Sequence, residues 1–554
     1  MKDKIDWQQA KVLSYQPKQT GKYKQWINVQ VENEPEPKCV NWDEVEAWNG
    51  VEVESVVYLS AAQNKSQEVV DAKEKELENM KRNNVFEEIP FTNQKPVISA
   101  RWIITEKVKD DKTVVKARLV ARGFEEDSTQ FKKDSPTCTR ESLRIAFMTA
   151  PLMKWELNTL DISAAFLQGN EIEREVYLQP PRDVCPQGYV WKLKRCIYGL
   201  TDAPRAWYNT VKETLCTLGA KVSLYDNSLF LFHEGSRALS GIVVVHVDDF
   251  IHCGNDTFNT NIIGELKKIF KISKEECGTF KYVGLQIKQS KEEIIVNQDF
   301  YIKDIEAIPL SASRVQQRES ECTSEEKKYL KSLGGKMMWA ATQTRPDLSF
   351  ETCILTNVAK CSKVKTIHDA NKAVTKLKSS TVHMKFPSIG SIDDMKIKAY
   401  SDATYASLGD GSSQGGYVIF VEGSNRKIIP MCWQSKKLNR VTKSPLASET
   451  LALAEAADAA FLVSKMLQEV FQLETAPEIE CLTDNASLTA TIKTSTTVTD
   501  KRLRVDIARL REMVDKSEIT ISWVDGKEQL ADCLTKRGAS SQRLLEVLER
   551  SQLF

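Results

Sequence analysis

Gly241-Ile242-Val243-Val244-Val245-His246-Val247-Asp248-Asp249-Phe250 puts two adjacent aspartates at the end of the most apolar short run in the chain. Aspartate is a poor strand former, and an unpaired charge is costly to bury beside apolar neighbours. Two readings fit this stretch. One is a plain surface turn, the natural reading of Asp110-Asp111 and Asp393-Asp394. The other is a pair of hard oxygen ligands that would suit Mg²⁺. By itself, 240–253 reads as one apolar strand interrupted by the aspartates.

Working outward, the chain has 554 residues, enough for roughly three to five domains. With 41% hydrophobic and 28% charged residues it has an ordinary globular composition. The formal charge of +1 lacks the basic excess usual for nucleic-acid binders. That total conceals basic stretches: 101–122 carries seven Lys/Arg against three acids, 425–445 six against none, and 493–511 six against two. Such stretches predict salt-sensitive phosphate binding. The 13 cysteines include no C-x-x-C pair, which favours free thiols in a reducing compartment. No apolar run approaches the ~20 residues of a membrane span, and the polar start has no secretory signal. An intracellular, soluble protein with no membrane partner is the expectation.

Residues 1–60 read as a small β-rich module, and 62–85 as a solvated helical connector. Two β-branched runs around Lys109–Lys112 predict a hairpin. Helices are expected at 137–150, 203–219 and 256–272, strands over 279–296, and mainly helix over 323–385. After 394 the expected order is strands at 396–401, 415–421 and 428–434, a helix at 447–470, and a strand at 478–483.

A second aspartate in an apolar run, Leu160-Asp161-Ile162-Ser163-Ala164-Ala165-Phe166-Leu167, changes the balance at Asp248-Asp249. Three carboxylates converging from two strands suit a pair of metals ~3.5–4 Å apart, the arrangement of in-line phosphoryl transfer. These stretches resemble motifs A and C of the reverse transcriptase palm. Cys196-Ile197-Tyr198-Gly199-Leu200-Thr201-Asp202-Ala203-Pro204-Arg205-Ala206-Trp207-Tyr208 resembles the YGL-x-x-AP-R-x-W block of the Copia type, and Lys116–Phe124 its KARLVA-x-GF block. Leu333–Trp339 and Thr344-Arg345-Pro346-Asp347 resemble the thumb pattern, in which Asp347 reads as a structural cap. The chain resembles the reverse transcriptase portion of a Copia-type (Pseudoviridae) LTR retrotransposon Pol polyprotein.

Further on, Asp402 ends a strand, Glu449 opens a helix, Asp484 ends another strand, and Asp532 lies in Ala531-Asp532-Cys533-Leu534-Thr535-Lys536. Their order and the AD-x-x-TK motif resemble a type I ribonuclease H. Glu455 and Asp458, on the same helix as Glu449, read as solvated or structural.

The resemblance implies an α+β and α/β multidomain fold: a right-hand polymerase of fingers, palm and thumb, followed by a ribonuclease H-like domain. It implies fingers and palm at 61–290, thumb or connection helices at 291–390, and the nuclease at 394–554, with 1–60 as an integrase-derived module. Asp161, Asp248 and Asp249 would hold two Mg²⁺, as would Asp402, Glu449, Asp484 and Asp532, with Mn²⁺ a substitute. Arg118 and Lys107 would meet the dNTP triphosphate, a planar multi-donor fork suiting Arg118 to that task. Ala165, Phe166, Tyr198 and Gly199 would line the nucleotide site, with the Phe166 ring excluding a ribose 2′-OH. His246, Val283, Gly284 and Leu285 would contact primer and template. The implied partners are RNA template, DNA primer, RNA/DNA hybrid and dNTPs, with either a monomer or a substrate-induced homodimer. The implied location is cytoplasmic, within virus-like particles, and later nuclear.

Two departures stand out. His246 occupies the position where the family has Tyr in its Tyr-x-Asp-Asp motif. The last histidine is His383, so the nuclease segment has none, and His-assisted product release is excluded there. The alternative reading is a domesticated, non-catalytic nucleic-acid-binding protein, which predicts eroded carboxylates; all seven are present. A non-LTR or intron-type reverse transcriptase is disfavoured by the Copia-type blocks and the C-terminal nuclease pattern.

Overall fold

In a computed structural model of the chain, the apolar run around Val243 is a hairpin, not one interrupted strand. Ala238–His246 pairs antiparallel with Asp249–Gly254, and Val247-Asp248 make the turn. The structure describes residues 66–553 except 92–95, 110–111, 128, 130, 236–237, 359–361 and 495–496; within 1–65 it describes the backbone of four strands, Ala10–Pro17, Gln25–Val31, Lys38–Asn41 and Ser55–Val56. The first three form an antiparallel sheet. The turn expected at Asp110-Asp111 lies outside the described residues.

The chain forms two compact units. The first comprises Met1–Thr137, Ile162–Leu218 and Leu266–Ser273; the second comprises Cys138–Asp161, Gly219–Glu265 and Lys274–Phe554. Residues 61–290 are therefore divided between both units.

In the first unit, Val97–Lys109 and Lys112–Ala121 form the expected hairpin. Tyr189–Leu193 pairs with Phe86–Pro90, where the Phe86 and Trp191 rings stack 3.6 Å apart. The helix Gln67–Arg82 is not the solvated connector its composition suggests. It buries Val69, Glu76 and Met80, with Val69 packed on Ile104 and Ala117 of the hairpin. A helix this polar overall still presents a narrow apolar stripe. Pro204, in the first turn, suits the start of helix Ala203–Thr217.

In the second unit, Leu229–Glu234, Ala238–His246, Asp249–Gly254 and Asn158–Ile162 are neighbours in an antiparallel sheet. Helix Arg140–Met153 packs against it. A smaller sheet follows (Thr279–Tyr282, Leu285–Gln289, Glu293–Asn297, Met384–Pro387). Between its last two strands lie helices Ser324–Gln343, Ser349–Val358 and Val364–Ser379. A capping box between Thr323 and Glu326 starts the first of these. The final sheet has the order Ile428–Lys437, Gln414–Glu422, Lys396–Thr404, Glu478–Thr483, Thr520–Trp523. Its first two pairings are antiparallel and its last two parallel, and helix Pro445–Phe471 packs on its middle strands. This is the polymerase plus ribonuclease H-like architecture the resemblance implies. Asp393-Asp394 forms an exposed turn, as expected. One continuous core joins Phe147, Val244 and Ile251 to Met431, Trp433 and Leu453.

Candidate active sites

The first acidic centre rests on strand register. Asp249 lies opposite Asp161 on the neighbouring strand and opposite His246 across the hairpin. Asp248 sits in the tight turn, after Val247 at φ 56°. A β-branched residue in the left-handed region is strained by about 1–3 kcal/mol, a feature typical of functional sites. Asp161, Asp248, Asp249 and His246 are all partly exposed. Burial lowers the pKa of His246, and the charge of Asp248 opposes that shift.

Next to this hairpin, the buried Tyr282 donates its hydroxyl hydrogen to the Asp249 carbonyl at 3.2 Å. The run Tyr282-Val283-Gly284-Leu285 is not a continuous strand. Val283 (φ 45°) and Gly284 (φ 71°) form a turn between two strands. Leu285 is buried in the core, and Val283 is partly buried against it. Alternation along the strand turns Leu285 inward.

The first unit gathers the residues expected for nucleotide binding. The Arg118 guanidinium lies 5.2 Å from the Tyr198 ring centroid. Phe166 meets the same ring edge-on, at 5.1 Å and 70°. Ala165 is buried beneath, in the short helix Ala165–Gln168. Gly199 has φ 87°, and a Cβ there would lie 2.1 Å from the Ala121 carbonyl oxygen. Backbone bonds Ala121 N–Tyr198 O (2.8 Å) and Gly123 N–Gly199 O (3.1 Å) bring the two Copia-type blocks together. Glu76, unforeseen in the sequence, feels the charges of Arg118 and Lys116; burial nevertheless raises its pKa. Lys107 lies in the strand Val97–Lys109, and its side chain is outside the described residues.

The second acidic centre is closed. Asp402 on the central strand, Glu449 near the start of the helix Pro445–Phe471, and Asp484 after the strand Glu478–Thr483 each offer an oxygen, mutually within 4.8 Å. Among the described residues this is the one such cluster, so Asp161, Asp248 and Asp249 form a more open arrangement. The Trp523 indole donates to the Asp484 carbonyl at 3.0 Å, and the Asn485 side chain caps the following helix. Thr404 Oγ1 donates to the Thr535 carbonyl at 2.9 Å, holding the segment of Asp532 against the central strand.

Sequence reading missed two members of this centre, although the AD-x-x-TK motif contained them. Lys536 Nζ lies 2.5 Å from Asp532 and 3.2 Å from Asp402, and Thr535 donates to the other Asp402 oxygen. Burial would lower the Lys536 pKa, but Asp402 and Asp532 drive it upward. Burial raises the pKa values of Asp402 and Asp484. Burial, then the charges of Asp402 and Asp484, push Glu449 up to about 9. Glu449 Oε2 is buried without a hydrogen-bond partner. Clustered, partly orphaned carboxylate oxygens fit a hard divalent cation.

The basic stretches are partly neutralised. Lys436 pairs with Glu455 at 2.7 Å, Lys437 with Asp410, Arg440 with Asp506, and Arg509 with Asp458. Glu455 and Asp458 are thus structural partners, and fewer cations are open to phosphate than the sequence suggests. Asp347 is likewise structural. It forms a two-pronged ion pair with Arg345, both side chains fully buried.

Residues 83–313 match the family model described as reverse transcriptase (RNA-dependent DNA polymerase). The chain is 28% identical over 464 residues to the retrovirus-related Pol polyprotein from transposon RE1 of Arabidopsis thaliana, covering 79% of this chain and 31% of that protein. It is 26% identical to the corresponding polyprotein from transposon TNT 1-94 of Nicotiana tabacum, over 85% of this chain and 36% of that one. The chain therefore spans about a third of the length of these relatives. Among solved structures, a foamy viral protease-reverse transcriptase in complex with double-stranded DNA aligns with TM-score 0.49 and 13% identity, over 83% of this chain and 70% of that one. The resemblance read from the motifs is borne out: residues 83–313 carry a reverse transcriptase domain of the Copia type, within a chain related over most of its length to Copia-like Pol polyproteins.

Proposed function

We propose that this chain copies RNA into DNA at the Asp161, Asp248 and Asp249 centre and degrades the RNA of the resulting hybrid at the Asp402, Glu449, Asp484 and Asp532 centre. The observation that carries this reading is the presence, in one compact unit, of two separate carboxylate centres at the ends of strands. Each would hold Mg²⁺, or Mn²⁺ in its place. When bound, paired cations lower the pKa of the attacking hydroxyl or water and offset charge on the leaving oxygen.

The protein's own groups supply position. Arg118, braced over Tyr198, presents a guanidinium to the dNTP triphosphate. Phe166, edge-on to Tyr198, sets the room beside the sugar. The Val247–Asp248 turn, pinned through Tyr282, holds the primer end of the site. In the nuclease centre, Lys536 and Thr535 hold Asp402 and Asp532 in place between turnovers.

The deciding experiment is primer extension on an RNA template by the purified full chain, with Mg²⁺, with Mn²⁺ and with chelator. Metal-dependent extension accompanied by loss of labelled template is expected. No extension with either metal would overturn the polymerase reading.

A further inference from the structure

Arg144 is buried, yet it donates to carbonyl oxygens and not to a carboxylate. It projects from helix Arg140–Met153, which packs on the Asp249–Gly254 strand of the polymerase centre. Its Nη1 donates to the Met431 carbonyl at 2.7 Å, on a strand of the nuclease sheet. Its Nη2 donates to the Thr342 and Gln343 carbonyls at 3.0 and 3.1 Å, the last turn of helix Ser324–Gln343. Those end-of-helix carbonyls lack intrahelical donors and carry partial negative charge. The guanidinium also lies 3.9 Å from the Trp433 ring centroid, and the Trp433 indole donates to the Ala341 carbonyl at 2.8 Å. One planar fork therefore satisfies three carbonyls on two elements at once, which a lysine point charge cannot do.

A second tie supports the same junction. Glu469 accepts from Ser223 Oγ at 2.5 Å and Leu224 N at 2.8 Å, beside the polymerase sheet. Glu469 lies on the helix that carries Glu449, twenty residues or about 30 Å along it. We infer that Arg144 is a positioning residue that sets the separation between the polymerisation centre and the nuclease centre along a bound hybrid. This rests on the functional reading above and adds to it the role of Arg144.

The test uses the full chain in Mg²⁺ with end-labelled RNA annealed to a DNA primer. RNA fragment lengths are counted from the primer 3′ terminus. The unmodified protein is expected to cut in one narrow band. Arg144→Met, checked for folding by circular dichroism, should spread that band over several nucleotides while single-nucleotide incorporation changes by less than about threefold. Arg144→Lys keeps the charge but loses the fork; it should give the same spread, and it is the informative variant if the methionine form does not fold. An unchanged band in a folded variant overturns the inference, as does a scattered band in the unmodified protein that still extends and cuts. Absence of either activity in the unmodified protein overturns the functional reading itself.

Discussion

Asp161 and Asp249 face each other across neighbouring antiparallel strands, with Asp248 at the adjoining turn. Directly opposed like charges destabilise a sheet by roughly 0.2–1 kcal/mol. Asp249→Asn should therefore leave the metal-free protein as stable or slightly more so, yet lower extension by at least about a hundredfold. Cleavage of a preformed hybrid should persist, and Asp484→Asn should show the converse. Parallel loss of both activities in either variant would refute two separate centres.

Glu449 provides a pH signature. Its folded pKa of about 9 exceeds the ordinary 4.5, through burial and then the charges of Asp402 and Asp484. A raised carboxyl pKa contributes stability fully present below about pH 4.5 and lost as pH rises through about 9. The melting temperature of chelator-treated protein should fall across that window, and Glu449→Gln should flatten the dependence. Because a carboxylate ligand must be ionised, Mg²⁺ binding at pH 7.5 should release about one proton. Calorimetry in buffers of different ionisation heat measures this, and zero release would contradict it.

Phe166 packs edge-on against Tyr198. Phe166→Ala is expected to lower the kcat/KM preference for dNTPs over ribonucleotides by at least about tenfold. If the ratio stays as in the unmodified protein, the ring serves only to pack.

Gly199 and Gly188 allow a paired stability test. Both have positive φ, 87° and 90°, but only at Gly199 would a Cβ strike the Ala121 carbonyl. Each Gly→Ala change incurs the left-handed penalty of roughly 1–2 kcal/mol. Urea unfolding should show Gly199→Ala costing at least about 2 kcal/mol more than Gly188→Ala. Equal costs would mean that the two blocks separate easily.

The acidic residues were readable because an aspartate ending an apolar strand contradicts its surroundings, and four such contradictions fell at Asp161, Asp249, Asp402 and Asp484. Geometry within those motifs was less readable. The reversal at Val247–Asp248 was hidden because valine disfavours positive φ, so a continuous strand looked natural. The burial of Leu285 was hidden because Tyr282–Leu285 read as one continuous strand, without the turn at Val283-Gly284. The buried stripe of helix Gln67–Arg82 was masked by its many charges. Ion pairs such as Arg440–Asp506 link residues far apart in sequence, so counting basic residues overstated the open positive surface. The Arg144–Trp433 contact had no local signal, because its cause is entirely tertiary.

The Arg144 junction also has a consequence in time. Its acceptor at Met431 is 287 residues further along the chain. At about 5–20 residues per second, a ribosome would deliver that partner roughly 15–60 s after Arg144 itself. The sheet around Asp249–Gly254 and the Thr342 and Gln343 carbonyls reach helix Arg140–Met153 sooner, but the part of its face that meets strand Ile428–Lys437 stays uncovered until that strand is made. The nascent chain should therefore be a prolonged chaperone client, released only when strand Ile428–Lys437 arrives.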